Sequence, residues 1–315
     1  MILVTGSSGH LGEALMRVLC GGSTDALGVD LKPGPFTNRL GSIAERAFVR
    51  ECMRGADAVI HAATLHKPHV ETHSRQAFVD SNITGTLNLL EEALAARVRA
   101  VIFTSTTSAF GAALSPAPHE PAAWITEEVE PIPKNIYGVT KVAAENLCEL
   151  FARRWRLPTI VLRTSRFFPE EDDDAQMRGQ FSIQNMQANE MLYRRLDIED
   201  AVDAHLLALK KAEAIGFGRY IISATTPFRR EHAAELRKNA PAVVQRLFPD
   251  AQALFDERGW RMLPHIDRIY VNERARAQLE WQPKYDFSRV LDSLRAGRDA
   301  RSALAREVGS KGYHA

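Results

Sequence analysis

The stretch Met1-Ile2-Leu3-Val4-Thr5-Gly6-Ser7-Ser8-Gly9-His10-Leu11-Gly12 decides the fold. Met1 to Val4 is apolar and strand-length, and Leu11 to Leu19 has helical periodicity. Between them the glycines recur with Gly-x-x-Gly-x-x-Gly spacing. Glycine allows a tight turn and close backbone approach, and a helix opening there points N–H groups at an anion such as a pyrophosphate. In a strand–turn–helix context this reads as a dinucleotide loop. Asp30 closes the next strand, Ala26 to Val29, 18 residues after Gly12. A carboxylate there accepts hydrogen bonds from ribose hydroxyls and repels a 2′-phosphate. The expected cofactor is therefore NAD, with NADP less favoured although Lys32 lies two residues on.

Outward from this stretch, strand-length apolar runs alternate with amphipathic helices. Strands are expected at Ala56 to Ala62, Val101 to Thr104, Thr159 to Leu162 and Tyr220 to Ser223. Helices are expected at Ala77 to Ala96, Ile136 to Trp155 and Ile198 to Lys211. Such alternation predicts an α/β fold, a Rossmann-type doubly wound parallel sheet covered by helices. After Arg163 the pattern changes to an acidic loop and proline-broken helical segments. Residues 1–165 with 196–223 are read as the NAD-binding core, and 166–195 with 224–315 as a smaller substrate cap.

Of 315 residues, 45% are apolar and 25% charged, and the net charge is +1, so a sizeable core is within reach and no basic face invites nucleic acid. No apolar run approaches a membrane span, and the chain enters a strand at once, leaving no room for a signal peptide. Cys20, Cys52 and Cys148 have neither paired nor metal-like spacing, which suggests reduced thiols and a cytoplasmic location.

Tyr137 and Lys141 stand four residues apart on an expected helix, and so on one face. A lysine ammonium beside a phenol stabilises the phenolate, so Tyr137 is expected to have a lowered pKa and to serve as a general base. On its own such a pair is common on helix surfaces; here it joins the glycine loop.

With these residues the chain resembles the extended short-chain dehydrogenase/reductases, the NAD-dependent epimerase/dehydratase family. The likeness is carried by Thr5-Gly6-x-x-Gly9-x-x-Gly12, Asp57-Ala-Val-Ile-His61-Ala-Ala63, Asn82-x-x-Gly85-Thr86-x-Asn88, Phe103 to Gly111 and Tyr137-x-x-x-Lys141. It continues through Asp200-Ala-Val-Asp203-Ala-His205 and Leu279-Glu-Trp281-x-Pro283-x-Tyr285. The resemblance implies a catalytic set of Thr106, Tyr137 and Lys141, with Ser105 as the neighbouring alternative to Thr106. Lys141 would also bond the nicotinamide ribose. Implied cofactor contacts are Gly6, Ser8, Gly9, His10, Leu11, Gly12, Asp30, Leu31, Ser42, Ile43, Ala62, Ala63, Thr64, Asn82, Thr104 and Phe167, besides Tyr137 and Lys141. A homodimer through the two long helices is also implied.

The implied activity is hydride transfer at a secondary hydroxyl of a sugar or sugar acid. One alternative is a nucleotide-sugar 4-epimerase that retains its NAD; another is a non-catalytic protein that senses NAD(P). Nucleotide-sugar members usually carry Asn where this chain has Arg166, and Arg where it has Tyr193. The run Arg163-Thr-Ser-Arg166-Phe167-Phe-Pro169-Glu170 looks closer to members that oxidise free sugar acids. Arg166 and Arg178 are the candidate carboxylate clamps, since guanidinium binds carboxylate bidentately. Thr107 and Ser108 follow Thr106 where a dehydratase usually carries acidic and basic residues. His66, His69 and His73 invite a metal reading, but no carboxylate or cysteine accompanies them and no metal is expected. His66 and His69, with Thr107, are assigned instead to the substrate mouth. Asp172-Asp173-Asp174 reads as a solvated acidic loop rather than a Mg²⁺ site.

Overall fold

A computed structural model describes residues 1–167, 169 and 179–311 of the chain. Seven parallel strands form the central sheet, in the order β3-β2-β1-β4-β5-β7-β8. They are β1 (Ile2–Thr5), β2 (Ala26–Asp30), β3 (Arg39–Leu40), β4 (Ala58–His61), β5 (Ala100–Thr106), β7 (Thr159–Thr164) and β8 (Phe217–Ile222). β1, β4 and β7 are buried along their whole length, as helices on both faces of a parallel sheet require. On one face α1 (His10–Gly21) and the helix Ile198–Ile215 pack Leu15, Met16, Val202 and Leu209 onto Val4, Ile60 and Ile102. On the other face α2 (Arg46–Cys52), α4 (Gly85–Ala96) and α5 (Ile136–Trp155) pack Val49, Leu90 and Cys148 onto Leu3, Val59 and Val101. The strand order reverses between β1 and β4, so a crevice opens at the ends of these strands.

The predicted helix from Ala77 to Ala96 is not one regular α-helix. α3 (Arg75–Phe78), capped by the Ser74 hydroxyl on the Ala77 N–H, runs into a π-helical stretch, Val79–Thr84, before α4. The extra residue per turn carries Asn82 inward. Its amide donates to the Leu65 carbonyl and to Thr140 Oγ1, and its carbonyl accepts from the Leu65 N–H. Helical periodicity alone does not register a π turn, because the apolar face continues through it.

A second core lies beyond the sheet. Met186, Leu192, Leu236, Val243, Phe255, Phe287 and Leu291 bury one another there, beneath a two-stranded parallel ribbon of β6 (Ala123–Ile125) and β9 (Arg268–Tyr270). Not all of the C-terminal region joins it. Ala275, Leu279 and Trp281 pack into the sheet's own core. Trp281 Nε1 donates to the Asp200 carbonyl, and the Asp200 carboxylate accepts the Lys284 and Tyr285 N–H groups. Among the described residues no helix is long and apolar enough to cross a membrane, and no group of His, Cys, Asp or Glu could hold a metal ion.

Candidate active site

The glycine loop leaves β1 at Gly6, whose φ of 77° is the left-handed region where glycine is favoured. A Cβ on Gly12 would stand 1.9 Å from the Gly6 carbonyl oxygen, so the turn closes only on glycine. No side chain caps the start of α1, which leaves its first turn of N–H groups to meet an anion. The Asp30 carboxylate reaches back to this loop. Oδ2 accepts the Ser8 N–H at 3.0 Å and Oδ1 the Lys32 N–H at 2.9 Å. Ser8 Oγ donates to the Lys32 carbonyl, drawing the Leu31 segment across the loop. Ala62 and Ala63 line the far wall, their N–H groups donating to the Thr5 carbonyl and hydroxyl. Thr64 donates to Asn82 Oδ1. Ser42 and Ile43 precede α2, and Ile43 is buried beside Gly85. A cavity of about 390 Å³ joins His10 of the loop to Phe167 after β7, with Met191, Leu196, Trp260 and Leu294 on its walls.

The catalytic candidates meet at the end of β5. Asn135 caps α5, its side-chain oxygen accepting the Gly138 N–H, and this fixes the helix start that carries Tyr137. The Tyr137 phenol lies near enough to the Thr106 side chain for that neighbour to draw its pKa down against burial. Thr106 Oγ1 accepts the Ser108 N–H at 3.1 Å, which fixes its side chain at the start of the following turn. Ser105, the register alternative, points instead into the interior, where Oγ donates to Glu145 Oε1 at 2.5 Å. Lys141 Nζ donates to the Thr104 carbonyl at 2.6 Å and lies 4.1 Å from the Phe103 ring centroid.

One expectation is corrected here. Tyr137 does not have a lowered pKa: burial pushes its phenol up to about 12, against the pull of Thr106. Burial also pulls Lys141 down to about 7, against the pull of Glu145. The lysine directs its charge at the strand end and the Phe103 ring, not at the phenol. His61, between Thr5 Oγ1 and Thr86 Oγ1, is held at about 3 by burial and then by Lys141, so it is neutral.

The substrate candidates are dispersed. Thr107 is buried directly after Thr106, in the 3-10 turn Thr107–Phe110. His66 opens the turn Lys67–Glu71, its N–H donating to His69 Nδ1, and the His66 and His69 rings stand edge to face. Arg166 forms a bridge with Arg195 and an ion pair with Glu190 at 3.7 Å. Burial alone would raise Glu190, but Arg194, Arg195 and Arg166 overcome it and hold the carboxyl at about 2. Arg166 is thus anchored in an ion-pair cluster rather than presented alone. Arg178 and the Asp172–Asp174 loop lie outside the described residues. Sequence reasoning missed Glu145 and Arg163, whose buried ion pair underlies Ser105. Two signals pointed to it: an arginine inside the apolar strand Thr159–Thr164, and a glutamate on the Tyr137–Lys141 face.

A doubly wound parallel sheet with a glycine loop at its switch point defines the class of dinucleotide-binding α/β proteins. Within that class the chain belongs to the NAD dependent epimerase/dehydratase family, whose model matches residues 2–222. The chain spans about half the length of the curated relatives it matches first. A uronate dehydrogenase of Pseudomonas putida is 25% identical over 175 residues, 54% of this chain and 62% of that one. A UDP-glucose 4-epimerase of Rhizobium meliloti is 24% identical over 332 aligned positions, covering 93% of this chain and 95% of its own. Among solved structures, a short-chain dehydrogenase/reductase superfamily protein from Agrobacterium tumefaciens with bound NAD superposes with a TM-score of 0.67 at 23% identity, over 98% of this chain and 99% of that one. That last likeness is one of fold.

Proposed function

We propose that this protein moves hydride between NAD and a secondary hydroxyl of a sugar or sugar acid, with Tyr137 as the proton base. The observation that carries this reading is the meeting of Tyr137 with Thr106 at the end of β5, with Lys141 one turn further along α5 and its Nζ on the Thr104 carbonyl. The residues fit the cofactor. Gly6 and Gly12 leave no room for a Cβ, and the uncapped α1 suits a pyrophosphate. Asp30 stands where ribose hydroxyls would meet a carboxylate and a 2′-phosphate would be repelled.

When bound, NAD would supply the hydride acceptor and the positive charge of its oxidised ring. Thr106 holds the substrate oxygen, and Tyr137 takes the hydroxyl proton as the carbon gives up hydride. Lys141, held at the Thr104 carbonyl, would orient the cofactor ribose. Holding base, oxygen and carbon in one geometry lowers the barrier by proximity as well as by proton transfer. Arg166, steadied by Glu190, would meet a substrate carboxylate. This keeps the sugar-acid reading in view, alongside the likeness to a uronate dehydrogenase. Likeness to a UDP-glucose 4-epimerase along most of the chain supports a second reading, in which NAD is retained and the hydride is returned. In our reading residues 1–165 with 196–223 form the cofactor core, joined by the Ala275, Leu279 and Trp281 side chains that pack into it, and most of the remainder forms the substrate cap. The protein is further read as a cytoplasmic homodimer formed through the long helices, where Leu150 and Trp155 of α5 are exposed.

A screen of free sugars, uronic acids and nucleotide sugars for NADH formation or epimer exchange tests the assignment. Tyr137→Phe is expected to lose turnover by more than ~100-fold, as loss of a general base does, while NAD binding persists. Full turnover by Y137F would sink the reading.

A further inference from the structure

Glu145 is buried to 1% exposure on α5, one turn after Lys141 and two after Tyr137. Its carboxylate is held from three strands. Ser105 Oγ of β5 donates to Oε1 at 2.5 Å, and Arg163 of β7 donates through Nη2 to Oε2 at 2.7 Å and through Nε to Oε1 at 3.1 Å. Arg219 of β8 approaches Oε2 at 3.4 Å. Arg163 also lies 4.8 Å from the Phe110 ring centroid, in the turn that follows Thr106. Ser105 is fixed a second time, its carbonyl accepting Thr164 Oγ1 at 2.9 Å. One carboxylate therefore ties the helix bearing Tyr137 and Lys141 to the strand end bearing Thr106.

We infer that Glu145 is a positioning residue of the active site: it locks Ser105 and Thr106 of β5 against α5 and stands as the anionic neighbour of Lys141 one turn along the same helix. The inference rests on the proposed roles of Tyr137, Thr106 and Lys141. A buried amine loses its proton unless an opposite charge compensates. The groups facing Lys141 are Glu145 and Cys148 on its own helix, the neutral His61 of β4, and the Thr104 carbonyl and Phe103 ring of β5. Of these Glu145 is the anion. The groups facing Glu145 are Arg163 and Arg219 on the strands, and Lys141 and Cys148 on α5. The two arginines bind its oxygens, and Lys141 stands one turn away on the same helix, so the carboxylate faces both sides at once.

The titration of Lys141 can be read without any substrate, from the side-chain carbon signal of isotope-labelled lysine, assigned with K141M. In Glu145→Gln the Lys141 transition is expected to move down by about 1 pH unit, the low end of the effect of an adjacent opposite charge. Glu145→Asp keeps the charge and should return it to within ~0.3 unit of wild type. In E145Q a buried guanidinium is left without its carboxylate and the fold can suffer. The double variant E145Q/R163M removes both charges and should show the same downward shift. A Lys141 transition unmoved in E145Q or in the double variant overturns the inference, since loss of packing alone would not move it. Failure of the underlying reading would show separately, as turnover retained by Y137F.

Discussion

Lys141 is 2% exposed, and burial holds its amine near 7, well below the 10.5 of an exposed lysine. The unfolded chain binds more protons than the folded one between those two values, so this group makes stability rise with pH across that window. Below about 7 the full cost of burying the charge is present. Replacing Lys141 by Met should therefore raise stability at pH 7 by ~2–4 kcal/mol, at about 1.4 kcal/mol per pKa unit. The gain should fade as pH approaches 10.5. Thermal melts of K141M and wild type at pH 7 and near pH 10 check this, and a variant less stable than wild type at pH 7 would contradict it. At this scale the sequence was partly legible. Tyr137 and Lys141 declare themselves by helical spacing, and Thr106 through the likeness of Phe103 to Gly111 to the family motif. The direction of the Tyr137 shift was not legible. It depends on how deeply the phenol is covered and on where the Lys141 amine points, and both come from packing against β5.

The loop between β1 and α1 is the most constrained element of the site. Gly12→Ala would drive a methyl into the Gly6 carbonyl at 1.9 Å, contact that backbone cannot relieve without opening the turn. G12A is expected to keep the sheet, seen as unchanged circular dichroism, and to weaken NAD binding by at least ~10-fold, or ~1.4 kcal/mol, by calorimetry. Unchanged affinity would show that the loop does not cradle the cofactor. This loop is the best example of a legible element: glycine spacing, strand before and helix after all agree in the sequence. The π-helical stretch Val79–Thr84 is the opposite case. Its polar anchor, Asn82, is in the sequence, but the backbone register that buries it is set by Leu65 and Thr140, distant along the chain. Likewise β6 and β9 are three residues each, too short for alternation to show, and exist because they pair with one another.

The two ends of the proposed site come from opposite faces of the sheet. α1, which offers its N-terminus to the cofactor, packs on one face, and α5, which carries Tyr137, packs on the other. The strand ends of β1, β4 and β5 lie between them. The alternation of strands and helices made this architecture legible, whereas the seam between core and cap was less so. Trp281 and Leu279 read as cap residues by position, yet they pack under the sheet because Asp200 draws the Lys284 and Tyr285 backbone onto the helix Ile198–Ile215. Joining the two ends has a measurable consequence. If NAD binds as proposed, its cationic ring would come near a phenol that otherwise titrates near 12, and the phenolate should form far more readily. The direct test is the tyrosinate absorbance titration of wild type minus Y137F, with and without NAD. The Tyr137 transition is predicted near 12 in the protein alone and lower by at least ~2 units in the NAD complex. A transition that stays near 12 with NAD bound would contradict the assignment of Tyr137 as the base.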